Sequence, residues 1–284
     1  MGDERAVLAL SSTALLCFIS LCSCFSMGAF SPLLPEIGRA GALADWQLGV
    51  VAGALGFARM ATAIPAGWLA GRYLGTTLCA SPALMLAGTV LLATSPSFPV
   101  LVLGRLILGF AYTLGTVSGL IALLLDDRGP GASVRLNVFE FSAMIGVLGG
   151  LGLVGLLPDH WGWSLSLLIA SSPLLLILAA VPSIRRRFPD ASMAATPASR
   201  TPDASRADRM SLTLWTMFAV GIVLALAWSA VSQFLLPLRG TREFGLDRAA
   251  SRVCSCSLSS WTWWRCFPWG GSPTGWGAPL SSAS

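Results

Sequence analysis

The sequence predicts an all-α, polytopic membrane helical bundle, and three features carry that expectation. Of its 284 residues, 55% are hydrophobic and only 11% charged, where soluble domains carry about 25% charged. The apolar residues gather into runs long enough to cross a bilayer, whose core of about 30 Å takes roughly 20 residues of helix at about 1.5 Å each. The connections between the first six runs are short.

Seven runs follow in order. The first, residues 6–35, holds no charge. Its flank of Asp3, Glu4 and Arg5 is net negative, and the run is too long for a cleaved secretory signal. Leu21 to Cys24 resembles an acylation box only faintly, without a basic leader. The second run, 46–70, contains Arg59; the third, 76–95, is uncharged; the fourth, 100–125, contains Arg105. The fifth, 136–157, contains Glu140, and the sixth, 163–184, is uncharged. A polar linker rich in Arg, Pro, Ser and Ala covers 185–209, and the seventh run spans 210–236.

Eighteen basic residues against thirteen acidic ones give a net charge of +5 and pI ≈ 9.1, and every basic residue is Arg. With the N-terminus in the cytoplasm, Arg5, Arg72, Arg128, Arg135, Arg185–Arg187, Arg200, Arg206 and Arg209 lie inside. Before the seventh run only Arg39 lies outside. That is the positive-inside asymmetry, and it accounts for the basic balance without a nucleic-acid partner. Arg239, Arg242, Arg248 and Arg252 fall outside and fit the rule badly. The expected location is the plasma membrane, multi-pass.

Cys17, Cys22, Cys24 and Cys79 lie in apolar runs without a CxxC pair, so neither a disulfide framework nor a zinc site is expected. They read as small lipid- or core-facing fillers. The chain has one His and neither GxxxxGK[ST] nor GxSxG, which leaves ATP-driven transport and ordinary hydrolysis without their parts. No enzyme activity, metal or cofactor is expected. A membrane-embedded enzyme would need clustered His or acidic residues, whereas Glu140 and His160 stand at opposite ends of the fifth run. His160, between Asp159 and Trp161, reads as part of an interfacial loop with aromatic anchors rather than a pH sensor.

Charges inside the membrane are the sharper signal, because an Arg facing lipid costs about 2.5–3.5 kcal/mol on insertion scales. Arg59 stands near the midplane of its run and is the first candidate for a substrate or coupling charge in a wet cavity. Arg105 and Glu140 are further candidates for that cavity, although each is near enough to an end of its run to reach an interface. Glu140 is expected to titrate or to pair with Arg59. Glycines are expected at close helix contacts, since packing rather than water exclusion drives association in lipid. Gly109, Gly115, Gly146, Gly149 and Gly150 are the candidates.

Three local patterns add a resemblance. Gly67, Trp68, Leu69, Ala70, Gly71, Arg72, Tyr73, Leu74 and Gly75 join the second and third runs. Arg105 is followed by Gly109, Phe110 and Gly115, and the fifth run carries Gly146, Gly149, Gly150 and Gly152. With six runs, a polar linker and a further run, these resemble the major facilitator superfamily, in which two six-helix halves pack face to face. The resemblance implies alternating-access transport of a small solute, with proton-coupled efflux of a drug-like compound or metabolite as the expected role. It implies that Gly67, Arg72 and Gly75 belong to a gating loop, with Gly71 in place of the family's Asp and Gly75 one place late. Arg105 and Gly109 match the RxxxG pattern that the family associates with proton coupling. The fifth-run glycines lack the Gly-Pro pair of the antiporter motif.

After Arg252 the chain changes character: residues 253–284 hold five of the eleven Trp, three of the seven Cys and no Ile. Pro35 to Asp45 and Pro237 to Asp247 share one spacing, each Pro preceded by two Leu, so the second half repeats the first. Reading the codons that Trp, Gly, Pro, Thr and Ala impose, shifted by one base from Ser260, yields a string that admits an apolar helix. After it comes Pro-x-Gly-Trp-Leu-Ala-Asp-Arg-x-Gly-Arg, the family's loop motif with its Asp. A frameshift near Val253 is therefore expected. The domains expected are residues 1–184 as a six-helix half, 185–209 as a cytoplasmic linker, 210–252 as the seventh helix with its following loop, and 253–284 as an aberrant tail. Such a product lacks the second wall of the cavity and is not expected to transport alone. The competing expectation is a seven-span membrane scaffold or interaction protein without transport.

Overall fold

The structure is a computed structural model that describes residues 2–126 and 132–190, with scattered residues between 215 and 239. Eight α-helices make six spans. The first span, Ser12–Ala40, comprises most of α1 (Gly2–Gly28) and α2 (Phe30–Ala40). The next four are α3 (Asp45–Arg72), α4 (Leu74–Thr94), α5 (Phe98–Asp126) and α6 (Ala132–Val154). A 3-10 turn, Asp159–Trp161, leads into the sixth span, made of α7 (Gly162–Ala170) and α8 (Pro173–Arg187). These are the first six runs of the sequence, with ends moved by a few residues. Of the seventh run, the described residues between 215 and 231 are helical, and the other residues of it, like the 253–284 tail, lie outside the described residues.

Two spans are broken for a chemical reason. Pro32 has no N–H to offer the Gly28 carbonyl, and Pro173 none for Ile169. At the second break the Ser171 hydroxyl donates to the Leu167 oxygen at 2.8 Å, and the Ser172 N–H donates to the Ile169 oxygen at 3.1 Å. The breaks are near one another in space, since Ser26 and Ser171 share a 3.0 Å hydroxyl hydrogen bond.

Small residues set the helix pairs. A side chain on Gly146 would land on the Leu21 carbonyl, one on Gly150 on the Phe25 carbonyl, and one on Gly28 on the Val147 carbonyl. Thus α1 and α6 meet backbone to backbone. Between α4 and α5, Gly88 and Gly104 face each other's carbonyl oxygens, and Ser81 donates to the Ala111 oxygen at 2.8 Å. On α3, a Cβ at Gly109 would stand 2.6 Å from the Leu55 oxygen. The fourth span therefore touches the first, second and third, and it organises the bundle. The outside is apolar, with Phe57, Ile64, Val134 and Met144 exposed as a bilayer requires.

At the end of the bundle that carries Arg72 and Arg187, the segment after α8 folds back onto α4. The Thr76 N–H donates to an Asp190 carboxylate oxygen at 2.9 Å and its hydroxyl to the other. These bonds cap an exposed helix start, and the Phe188 carbonyl lies where a Gly75 side chain would stand. Thr76's hydroxyl, then its backbone N–H, hold the Asp190 carboxyl below the ordinary carboxylate value. A lowered folded-state value means the contact is present above the unfolded carboxyl's pKa and is lost as pH falls through the lower value. The protection of the Thr76 amide against exchange, relative to its intrinsic rate at each pH, should therefore be high and flat from neutral pH to about 5. Asp190→Ala or Gly75→Ala should speed the exchange roughly tenfold or more, for the loss of one charge-assisted hydrogen bond. Unchanged exchange in both variants would remove this docking.

Candidate functional site

The site is built where α3, α5, α1 and α6 stand side by side. Helices α3 and α5 run in the same direction and keep register turn by turn. Arg105 faces Val51, Gly109 faces Leu55 and Ala58, and Tyr112 faces Arg59. The spacing on each helix follows from residues three to four apart sharing a face.

Two arginines in this register have different surroundings. Arg105 is only 2% exposed. Its Nε donates to the Val51 carbonyl at 3.4 Å, and its guanidinium carbon lies 4.0 Å from the Phe30 ring centroid. It ties α5 to α3 and α2 and does not reach an interface, because Phe30 covers it; sequence position alone had allowed that reach. Arg59, fourteen residues into α3, is exposed on the bundle's open side, and its guanidinium carbon lies 4.6 Å from the centre of the Tyr112 ring. The ring face attracts the cation and holds it against α5 rather than out toward lipid.

Tyr112 leads on to α1, where the Cys24 thiol donates to the Tyr112 hydroxyl at 3.6 Å. Glu140 stands exposed on α6, the helix packed against α1. Three helices thus join in one chain of contacts, from the buried Cys24 through Tyr112 to the exposed Arg59. Beneath them, a narrow cleft of ≈ 10 Å³, room for about one water, is lined by Leu16, Ile19, Ser20, Ser23, Thr116 and Phe139 among others. An exposed arginine braced on an aromatic ring inside a span is a group that can meet a polar or anionic solute.

The structure braces Arg59 on Tyr112, leaves Glu140 exposed on α6 and buries Arg105 beneath Phe30. In the loop motif, Gly67 faces open space and Arg72 lies over Trp68 and Tyr73, at 6.0 and 5.8 Å from the ring centres. Gly75 lies against Phe188 and Asp190. Gly115 abuts the Ser81 hydroxyl and Gly149 the Phe25 ring. His160 is exposed and edge-on to Trp161, with ring centres 6.3 Å apart. Cys22, Cys24 and Cys79 are buried and Cys17 is half-buried, yet Cys24 bonds into the site instead of only filling space. Tyr112 and Cys24 were missed by the sequence reading. Tyr112 carried a usable signal: it stands seven residues past Arg105, on the same helix face.

Comparison with known proteins bears on this geometry. The family model described as Major Facilitator Superfamily matches residues 16–270. The solute carrier family 2, facilitated glucose transporter member 10, of Danio rerio is 30% identical over 125 residues, 44% of this chain and 24% of that protein. The protein of the same name from Mus musculus is 35% identical over 99 residues, 34% of this chain and 18% of that protein. The chain thus aligns with about a quarter or less of these relatives' length. Among solved structures, a bacterial homolog of the human lysosomal transporter Spinster superposes with a TM-score of 0.69 at 14% identity, covering 89% of this chain and 60% of that one. The nucleoside transporter NupG gives 0.61 at 15% identity, covering 89% and 66%. At such identities the likeness is one of fold.

Proposed function

This chain belongs to the Major Facilitator Superfamily, and from that premise we propose that it carries one wall of a secondary active transporter that moves a small solute by alternating access. The observation that supports this reading is Arg59, an exposed charge well inside the second span, braced by the Tyr112 ring. A charge held there is costly unless it meets a polar cargo or a wet cavity. The similar proteins are named for glucose, nucleosides and other cargoes, so they support transport without choosing the solute.

The direction proposed is proton-driven efflux across the plasma membrane, with the N-terminus in the cytoplasm as the arginine asymmetry favours. Glu140, an acidic side chain set inside the fifth span, is the proposed coupling group. The Arg105–Gly109 pattern supports proton coupling by its family resemblance, with Arg105 acting through helix register. Gly67, Arg72 and Gly75 are proposed as the gating loop between the second and third spans.

Solute binding to the purified chain should release protons, seen as a binding enthalpy that depends on the buffer's ionisation heat. Glu140→Gln should abolish that release while leaving the thermal unfolding midpoint in place, and an unchanged proton release would remove Glu140 from the coupling. The frameshift near Val253 is part of this proposal, and flux is tested in proteoliposomes with the reading frame restored beyond it. Flux from the restored protein and none from the 284 residues is the expected pair, and no flux from either would overturn the transport reading.

A further inference from the structure

We infer that two copies of this chain pair face to face, the second span of each packed antiparallel on the fifth span of the other about a twofold axis along the membrane normal. The pairing goes beyond the transport reading and is independent of it, because it rests on the outward faces of α3 and α6 and not on a cargo.

Each of these helices has two outward faces of different chemistry. On α3, Val50, Phe57, Ile64 and Trp68 form an exposed bulky stripe. Beside it Gly56, Ala63, Gly67 and Gly71 follow one another at steps of seven, four and four residues, which is one helix face. Among the described residues, nothing comes within 4 Å of a side-chain carbon built on Gly56, Gly67 or Gly71. On α6, Val134, Val138, Phe141 and Ile145 are the exposed bulky stripe, and Ser133, Asn137 and Glu140 form an exposed polar one at the same spacing. Bulky apolar stripes suit acyl chains. Small residues let helix backbones approach, and polar side chains bridge helices in lipid, so the second stripe of each helix is shaped for protein.

The two protein-like stripes lie on one side of the bundle. Helices α3, α5, α1 and α6 pack in that order as a row. The outer two run in opposite directions and meet the row from opposite ends, so their right-handed winding carries both stripes to the same side. Arg59, three residues past Gly56 and four before Ala63, stands on that side as well. A half-turn about the membrane normal exchanges the ends of the row, and α3 of each copy then faces α6 of the other.

Depth supplies the register. Tyr112 is level with Arg59. Through Cys24 it is level with Gly146 too, whose missing side chain would stand 3.0 Å from the Cys24 Cβ. Gly119, seven residues further along α5, lies against the Phe139 ring, and seven residues beyond Arg59 is Ala66. Position 146 of α6 thus matches 59 of α3, and 139 matches 66, which is one antiparallel register found twice. A rotation about the normal conserves depth. It sets Glu140 of one copy opposite Gly67 of the other, and Asn137 opposite Gly71, to within about one helical turn.

Charge selects this arrangement over like-on-like pairing. The glycine stripe lies between Arg59 and Arg72, whereas the α6 stripe carries Glu140. Packing α6 on α6 would bring carboxylate to carboxylate, and α3 on α3 arginine to arginine. The mixed contact forms twice around the axis and closes the assembly at two copies.

The test is the mass of the purified 284-residue chain in detergent, by light scattering with the detergent subtracted, and twice 29.6 kDa is expected. Gly67→Leu should raise the dimer dissociation constant at least about tenfold, because the added side chain fills the gap that receives Glu140. Ile64→Ala, on the bulky stripe, should leave that constant unchanged. Gly71→Cys combined with Asn137→Cys should give a covalent dimer on mild oxidation, and neither single variant should exceed the background of the unaltered chain. A monomeric unaltered chain, with residues beyond 190 or another protein covering the stripes, overturns the pairing. So does cross-linking no greater in the double variant than in the single ones, whether or not Gly67→Leu folds. Neither outcome touches the transport reading, which stands or falls on flux.

Discussion

Gly150→Ala should lower the thermal unfolding midpoint of the purified chain by about 5–10 °C, whereas Gly152→Ala, two residues along the same helix, should leave it unchanged or raise it slightly. The two substitutions add the same methyl group to α6. At Gly150 the new carbon would land on the Phe25 carbonyl oxygen and within 3.3 Å of the Ala29 nitrogen; at Gly152 it meets nothing within 4 Å. A backbone oxygen cannot swing aside as a side chain can, so the whole of α6 must move off α1, and Gly146 and Gly28 lose contact with it. Overpacking of this kind costs about 1–3 kcal/mol, and each kcal/mol is roughly 2–4 °C for a chain of this size. Exchange of Gly for Ala elsewhere in a helix favours folding by up to about 1 kcal/mol. Gly150→Leu should therefore yield no monodisperse protein. Equal midpoints for the two alanine variants would show that the α1–α6 contact is looser than the structure has it.

That contact also marks how far the sequence could be read. A span needs only length and hydropathy, which are local, so the first six runs were placed within a few residues of the observed helices. Glycine on an apolar helix marks a close approach, and Gly109, Gly146 and Gly150 lie against neighbouring backbone. The partner is a different matter. Gly28, Gly88 and Gly104 make equally close contacts, but their significance depends on how each helix is rotated and which neighbour it meets, and periodicity is nearly uninformative when every face is apolar. Arg105 shows the same limit: its position allowed an interface, and the Phe30 ring from another helix decided against it. Asp190 could not have been assigned to Thr76, because the pairing joins residues more than a hundred positions apart.

Removing the Arg59 charge should have the largest effect on the site. Arg59→Ala is expected to weaken solute binding roughly tenfold or more, since a hydrogen bond to a charged group contributes about 1.5–3 kcal/mol. Its unfolding midpoint should stay within error, because Arg59 is exposed and its guanidinium supports no other helix than through the Tyr112 ring. Tyr112 separates two explanations for that loss. If the ring holds the guanidinium in place, Tyr112→Phe keeps the π face and should bind nearly as well, while Tyr112→Leu should lose up to about tenfold, the scale of one such contact. If the hydroxyl mattered by itself, through Cys24, Phe would fail as Leu does. Binding constants for the three variants, measured alongside their midpoints, decide the matter: full affinity in Arg59→Ala would mean that this arginine faces lipid and that the cargo passes elsewhere.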